Sequence, residues 1–239
     1  MERLKIRPWF LLLLLVLNSF MACGWWKNSE LQPTVAEQLV VAQESSTETR
    51  ESATDYVREG LDYAAQGQYD QAIASFTQAQ QQNPAYAEAY YNRGVAYVKK
   101  GMYGQAIVDF NQALKINPQD ANTYNHRGVA YRGQGQIDRA LADYNQAIQL
   151  NPRLSMAYLN RGVAYVKKGQ IDQAINDFDQ ALRLEPSYAK AYFNKALACE
   201  QAGRRPEAIK AYQSYLKYAP PQDSRYIESV RERLQQLSQ

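Results

Sequence analysis

From about residue 53 onward the apolar residues fall three and four apart rather than alternating. Between 87 and 100 they are Tyr90, Tyr91, Val95, Ala96, Tyr97 and Val98; between 103 and 116 they are Ala106, Ile107, Phe110, Ala113 and Leu114. That spacing puts each set on one side of an α-helix and predicts two amphipathic helices, 87–100 and about 103–116. Gly101 stands between them. A glycine just past a helix end adopts the left-handed conformation without a Cβ penalty, so it marks a stop. Pro118 follows the second run. It cannot continue a helix, and it disfavours helical geometry in the residue before it. The pattern therefore predicts helix, short turn, helix, stop.

The same pattern recurs every 34 residues, five times without a gap, from Ala53 to Gln222. Tyr56, Tyr90, Tyr124, Tyr158 and Tyr192 share one position; Gly67, Gly101, Gly135, Gly169 and Gly203 share another; Pro84, Pro118, Pro152, Pro186 and Pro220 a third. A fixed period of this size means stacked helical units, each burying its apolar face against the next. Such a stack offers a long curved surface rather than a closed catalytic pocket.

Numbering each unit from its first residue shows where the chain packs closely. Position 8 is glycine in four units (Gly60, Gly94, Gly128, Gly162) and Ala196 in the fifth, and position 20 is alanine throughout. Missing side chains there let two helix backbones approach, while Tyr90, Tyr97 and Phe110, at positions 4, 11 and 24, fill the adjoining space. Units two to four carry Arg93, Arg127 and Arg161 at position 7 together with Asp109, Asp143 and Asp177 at position 23; units one and five have neither. This joint occurrence predicts an ion pair between the two helices of a unit, worth about 0–1 kcal/mol where partly exposed. Units two and four share the string at 93–101 and 161–169, by duplication or as a surface presented twice.

With a large residue at position 4, glycine at 8, tyrosine at 11, alanine at 20 and 27, an aromatic at 24 and proline at 32, the repeat resembles the tetratricopeptide repeat, TPR. In unit three these are Tyr124, Gly128, Tyr131, Ala140, Tyr144, Ala147 and Pro152. Unit five departs with Ala196, Cys199 and Tyr215. The resemblance covers about 170 residues. It implies an all-α, right-handed solenoid of five helix pairs, and it says little about the ligand. Residues 223–239 fall outside the period. Tyr226, Ile227, Val230, Leu234 and Leu237 make one apolar face there, predicting a capping helix begun by Asp223 or Ser224.

By the resemblance, the first helix of each unit lines the concave side through positions 2, 5, 9, 12 and 13. The candidate groove residues are Tyr91, Val95, Val98, Asn125, Val129, Leu159, Val163, Val166, Phe193 and Leu197. The TPR domains that clamp acidic chaperone tails use lysine at position 5 and asparagine at position 9 of their first unit. Val57 and Leu61 stand there instead, which excludes that ligand class. An aliphatic stripe suits an apolar peptide or an amphipathic helix laid in the groove. The alternative is that these aliphatics bury between neighbouring helices. Val129→Asp and Val163→Asp separate the two.

The first thirty residues are of another kind. Arg3, Lys5 and Arg7 precede an apolar run, Trp9 to Ala22, shorter than the roughly 20 residues a membrane-spanning helix needs. A basic stretch followed by a short apolar core reads as an export signal. Phe20-Met21-Ala22-Cys23 resembles a bacterial lipobox, which implies lipid on Cys23; Phe20 and Met21 depart from its usual residues. Simple cleavage after Gly24 and an uncleaved anchor extended by Trp25 and Trp26 are the alternatives. Gly24 after the modified cysteine favours the outer membrane over retention at the inner one. Residues 24–52 are rich in Ser, Thr, Gln and Glu and read as a flexible tether, in which Val35 to Ala42 can form a brief helix.

Charge narrows the partners. The full chain carries a formal +3, of which the first 22 residues supply +2, leaving the rest near neutral and without an electrostatic footprint for nucleic acid. Lys99, Lys100, Lys167 and Lys168 end helices, where the dipole favours cations. Cys199 occupies a packed position and reads as a small buried hydrophobe with no disulfide. His126, the single histidine, replaces an asparagine of other units and reads as a polar surface exchange. No metal-ligand spacing and no nucleophile–base set is present, so neither a metal, a cofactor nor catalysis is expected.

The organisation expected is a signal, 1–22; a tether, 23–52; five repeats, 53–86, 87–120, 121–154, 155–188 and 189–222; and a cap, 223–239. The function expected is a non-enzymatic, lipid-anchored scaffold of the bacterial envelope, facing the periplasm and binding a protein or peptide segment in its groove. The alternative is an assembly chaperone for membrane complexes such as photosynthetic ones, motivated by a likeness of the Asn-Arg-Gly repeats to cyanobacterial TPR proteins.

Overall fold

Eleven α-helices and no strand make up residues 52–238, the part of the chain that the computed structural model describes. The expected signal, Cys23 and all of the tether but its last residue lie outside the described residues. The first helix, α1, runs to residue 65, and α2 is Tyr69–Gln82. The next pairs are α3 (Ala87–Lys99) with α4 (Tyr103–Ile116), α5 (Ala121–Gly133) with α6 (Ile137–Leu150), α7 (Ser155–Lys167) with α8 (Ile171–Leu184), and α9 (Ala189–Gln201) with α10 (Arg205–Tyr218). A 3-10 turn at Pro221–Asp223 leads into α11, Ser224–Ser238.

The turns follow from the residues predicted to make them. Gly101 has φ +73°, and the amide of Met102 reaches back to the Tyr97 carbonyl at 2.9 Å while that of Gly101 bonds Val98 at 3.0 Å. These two bonds satisfy carbonyls that the helix end leaves open. After α4, Asn117 is extended (φ −126°, ψ 91°), as a residue before proline must be. Its Oδ1 accepts the Gln119 amide at 3.3 Å and turns the chain toward α5.

Within each pair, glycine at position 8 sits under the ring at position 24. A Cβ on Gly94 would lie 2.7 Å from the Phe110 ring, and one on Gly128 2.6 Å from that of Tyr144. Phe76, Phe110, Tyr144, Phe178 and Tyr212 are at most 2% exposed, and each such ring contributes about 1.5–3 kcal/mol of burial. The position-20 alanines are wholly buried. In unit five, Ala196 packs in one cluster with Tyr212, Tyr215 and the cap residue Val230.

The stack has a defined inner side. Successive first helices touch one another: α3 meets α5, α5 meets α7, and α7 meets α9. Among the described residues, the backbones of successive second helices do not approach one another as closely. A two-layer stack closed on one layer and splayed on the other curves with the closed layer inside. The first helices therefore line the concave face.

Candidate functional site

Along each first helix, positions 5, 9 and 12 stand four and three residues apart and form one stripe. The ends of that stripe are open: Leu61 is 44% and Leu197 46% exposed. Between them Tyr91, Val95, Val98, Val129, Val163, Val166 and Phe193 are half-buried. Val95 and Val98 pack on Ala106, Phe110 and Ala130, so each valine shares its surface between the next helix and the groove. Asn125 and Leu159 lie deeper, at 0% and 2% exposure, and form the floor rather than a surface that a ligand touches. Asn125 goes below because its amide is held on both sides: its Oδ1 accepts from Asn160 Nδ2 at 2.9 Å, and its Nδ2 points at Met156 Sδ at 3.5 Å.

His126 is a packed residue, not the polar surface exchange expected of it. Its ring stands edge-on to Tyr91 with centroids 5.3 Å apart. Nδ1 lies 3.0 Å from the Asn122 carbonyl oxygen and 3.3 Å from the Tyr91 hydroxyl. The carbonyl can only accept, so Nδ1 carries the proton. Burial disfavours the charged forms of both groups: it pulls the imidazole pKa down and pushes the Tyr91 phenol up to about 12, with Asp120 adding to the latter. The pair is neutral at pH 7 and joins α3 to α5 along the groove floor.

Two features escaped the sequence reading. First, the position-7 cation reaches backward as well as across. Arg93, Arg127 and Arg161 grip Asp109, Asp143 and Asp177 of their own units, and each also donates to the preceding unit: to Thr77 at 2.8 Å, Asn111 at 2.7 Å and Asn145 at 2.7 Å. Lys195 does the same to Asp179 at 2.6 Å, and in unit one Glu59 accepts from Ser75 at 2.8 Å. Units one and five thus have polar links where no Arg–Asp pair exists. Second, where position 24 is tyrosine its hydroxyl meets a polar residue at position 12: Tyr144 with Arg132 at 3.4 Å, Tyr212 with Glu200 at 2.5 Å. The phenylalanine units have Ala64, Val98 and Val166 there. That covariation was visible in the sequence.

At the C-terminal end the groove deepens. A cavity of ≈ 440 Å³ is lined by Lys190, Phe193, Asn194, Tyr215, Asp223 and Tyr226. Phe193 also borders a second of ≈ 330 Å³ with Leu197, Glu200 and Arg233. The cap closes over this end through Val230, 1% exposed, and through Arg233, whose Nε donates to Glu200 at 2.8 Å. Tyr226, expected on the cap's buried face, is 59% exposed and meets Phe193 edge-on instead. Cys199 is buried and free, its thiol pKa pushed up mainly by burial. Among the described residues no group of acidic, histidine and cysteine side chains is placed to hold a metal ion, and no helix is long and apolar enough to cross a membrane.

Known proteins place this architecture. Tetratricopeptide-repeat models match residues 87–120, 110–142 and 159–224, and a further TPR model matches 60–101 and 130–169, so that the matches run unbroken from 60 to 224. No curated protein matches the chain in sequence. Among solved structures, TTC0263, a thermophilic TPR protein of Thermus thermophilus, is 27% identical, with a TM-score of 0.64 over 77% of this chain and 98% of that one. MamA is 26% identical, with a TM-score of 0.59 over 66% of this chain and 93% of its own. YrrB, a TPR protein with an unusual peptide-binding site, is 23% identical, with a TM-score of 0.55 over 75% of this chain and 92% of its own; that likeness is one of fold. With tetratricopeptide-repeat models matching from 60 to 224 and helix pairs stacked at a 34-residue period, the chain belongs to the tetratricopeptide-repeat family.

Proposed function

We propose that the chain is a non-enzymatic scaffold that holds an apolar or amphipathic protein segment in its concave groove. The TPR fold is one of protein–protein interaction, and the observation that carries the finer reading is the stripe itself. Its first helices lie inside the curve, its valines are half-open, and its ends, Leu61 and Leu197, are open. An aliphatic surface left partly in water on a concave face gains roughly 25 cal/mol per Å² when a partner covers it. Val129→Asp and Val163→Asp place a charge on that stripe. Loss of a captured segment with unchanged helicity supports the reading; retained capture removes it.

The same proposal includes export and lipid attachment at Cys23, which would hold the solenoid at the envelope on its polar tether, facing the periplasm and favouring the outer membrane. Its support is the order of residues 1–23: a basic start, a short apolar run, then Ala22-Cys23. Fatty-acid labelling of the wild type that is lost in Cys23→Ala supports it. An unlabelled wild type sinks the lipid, and cell fractions showing the chain in the cytoplasm sink the export.

A further inference from the structure

The groove has a charged edge that no ion pair among the described residues uses. One helical turn after Val95 on the same face stands Lys99; Arg132 follows Val129 by three residues, and Lys167 follows Val163 by four. Three consecutive units thus place a cation beside a groove valine. None of the three forms an ion pair among the described residues, whereas the adjacent Lys100 and Lys168 pair with Asp70 and Asp138 of the preceding unit. Neighbouring lysines are therefore put to different uses: one stitches the stack, the other is left open.

Unit three shows that the open cation is kept when the stitch is lost. It has Gly133 and Gln134 where units two and four have Lys-Lys, yet Arg132 supplies the charge one residue earlier. Among the described residues its polar partner is the Tyr144 hydroxyl, a neutral group at 3.4 Å. The Lys99 charge also reaches across to the neighbouring first helix, where it bears on His126 at the groove floor. The opposite edge, at the starts of α3 and α5, carries Glu88 and the capping Asp120. Across units two to four the groove is thus apolar along its middle and basic along one side, whereas unit five has Glu200 in place of Arg132.

We propose that the occupant is an acidic amphipathic segment of a partner protein, its apolar face on the valines and its carboxylates on Lys99, Arg132 and Lys167. This rests on the groove reading above and adds the partner's charge and orientation. Complementary charge along one flank fixes the register and direction of a segment that the valines alone would hold in either. Solvated helix ends stabilised by the helix dipole are the competing account of Lys99 and Lys167. That account predicts that neutralising the cations lowers stability and leaves binding alone.

The test uses the full chain in detergent, panned against displayed random peptides about 16 residues long, four to five helical turns. Selected peptides should carry apolar residues at i, i+3, i+4 and i+7 with Asp or Glu along one flank. Their affinity should fall about tenfold or more from low to high salt, and by a similar factor in K99Q/R132Q/K167Q, with helicity and a cooperative thermal melt retained. Neutral or basic selected peptides, or equal binding by the triple variant, overturn the charge proposal and leave the apolar groove standing. Failure to select any peptide, or selected peptides that bind Val129→Asp equally well, removes the groove reading itself. Binding to vesicles of anionic phospholipid that the triple variant loses, with no acidic peptide selected, assigns the edge to a membrane and overturns the proposal.

Discussion

Arg127 and Asp143 meet through two parallel bonds, Nε to Oδ2 at 2.8 Å and Nη2 to Oδ1 at 2.7 Å, joining the two helices of the third unit. The carboxylate is only 8% exposed and the guanidinium 19%, so the surface value of 0–1 kcal/mol does not apply. The guanidinium also faces the Tyr124 and Tyr131 rings, at 5.2 and 5.9 Å, and bonds Asn111 of the unit before. Arg127→Ala leaves a buried carboxylate without its partner. Denaturant melts should show a loss of about 2–4 kcal/mol, somewhat below a fully buried pair. Arg127→Ala with Asp143→Ala together should cost less than the sum of the two singles. Additive losses would mean that the two groups are not coupled.

Gly128→Ala tests the close approach of α5 and α6. The new methyl would stand 2.6 Å from the Tyr144 ring, which is 0% exposed and cannot swing aside without displacing the Arg132 contact. The expected loss is about 1–3 kcal/mol, the cost of overpacking a filled core. A melting temperature equal to wild type would show that the helices separate freely.

Gln80 offers a change in the opposite direction. It is 8% exposed, and its Nε2 is buried with no hydrogen-bond partner. The equivalent residues in the other units are Leu114, Ile148, Leu182 and Leu216. Gln80→Leu removes an unsatisfied donor and restores the apolar residue that the period calls for. It should raise stability by about 1–2 kcal/mol in thermal or urea melts.

The cap should loosen in acid. Glu200 accepts from Arg233 and from the Tyr212 hydroxyl, and these bonds, Arg233 first, hold its carboxyl below the ordinary value of 4.5. A folded pKa below the unfolded one gives a contribution that is full above about pH 4.5 and is lost as the pH falls through the folded value. Amide exchange in α11 should therefore accelerate on acidification below that range, relative to exchange in α5 and α6. Glu200→Gln should show the faster α11 exchange already at pH 7 and lose most of the difference between the two pH values.

Much of this molecule was legible because its determinants are local and repeated. A glycine with φ near +74° can be read from its place after a helix, and an extended residue from the proline behind it. Five copies of each signal made the period and the helix pairs unmistakable, and even the pairing of Arg127 with Asp143 showed in their joint occurrence. The groove was legible only as a set of positions. Apolar character alone does not separate Leu159, which sinks to the floor, from Tyr91 and Phe193 at the same repeat position, which stay half-open, because their exposure depends on what the next unit places against them. His126 likewise looked like a surface exchange until Tyr91 of the neighbouring unit was found against its ring.

The amino-acid sequence alone determined the helices, their turns and their succession in pairs, since each follows from backbone preferences and apolar spacing within a few residues. Only the tertiary structure decided which lysine of each Lys-Lys pair meets an aspartate, how far the position-7 cation reaches, and which stripe residues remain open to a partner. Those outcomes are set by distances between residues 16 to 35 apart in the chain, where stacking rather than local conformation positions the groups.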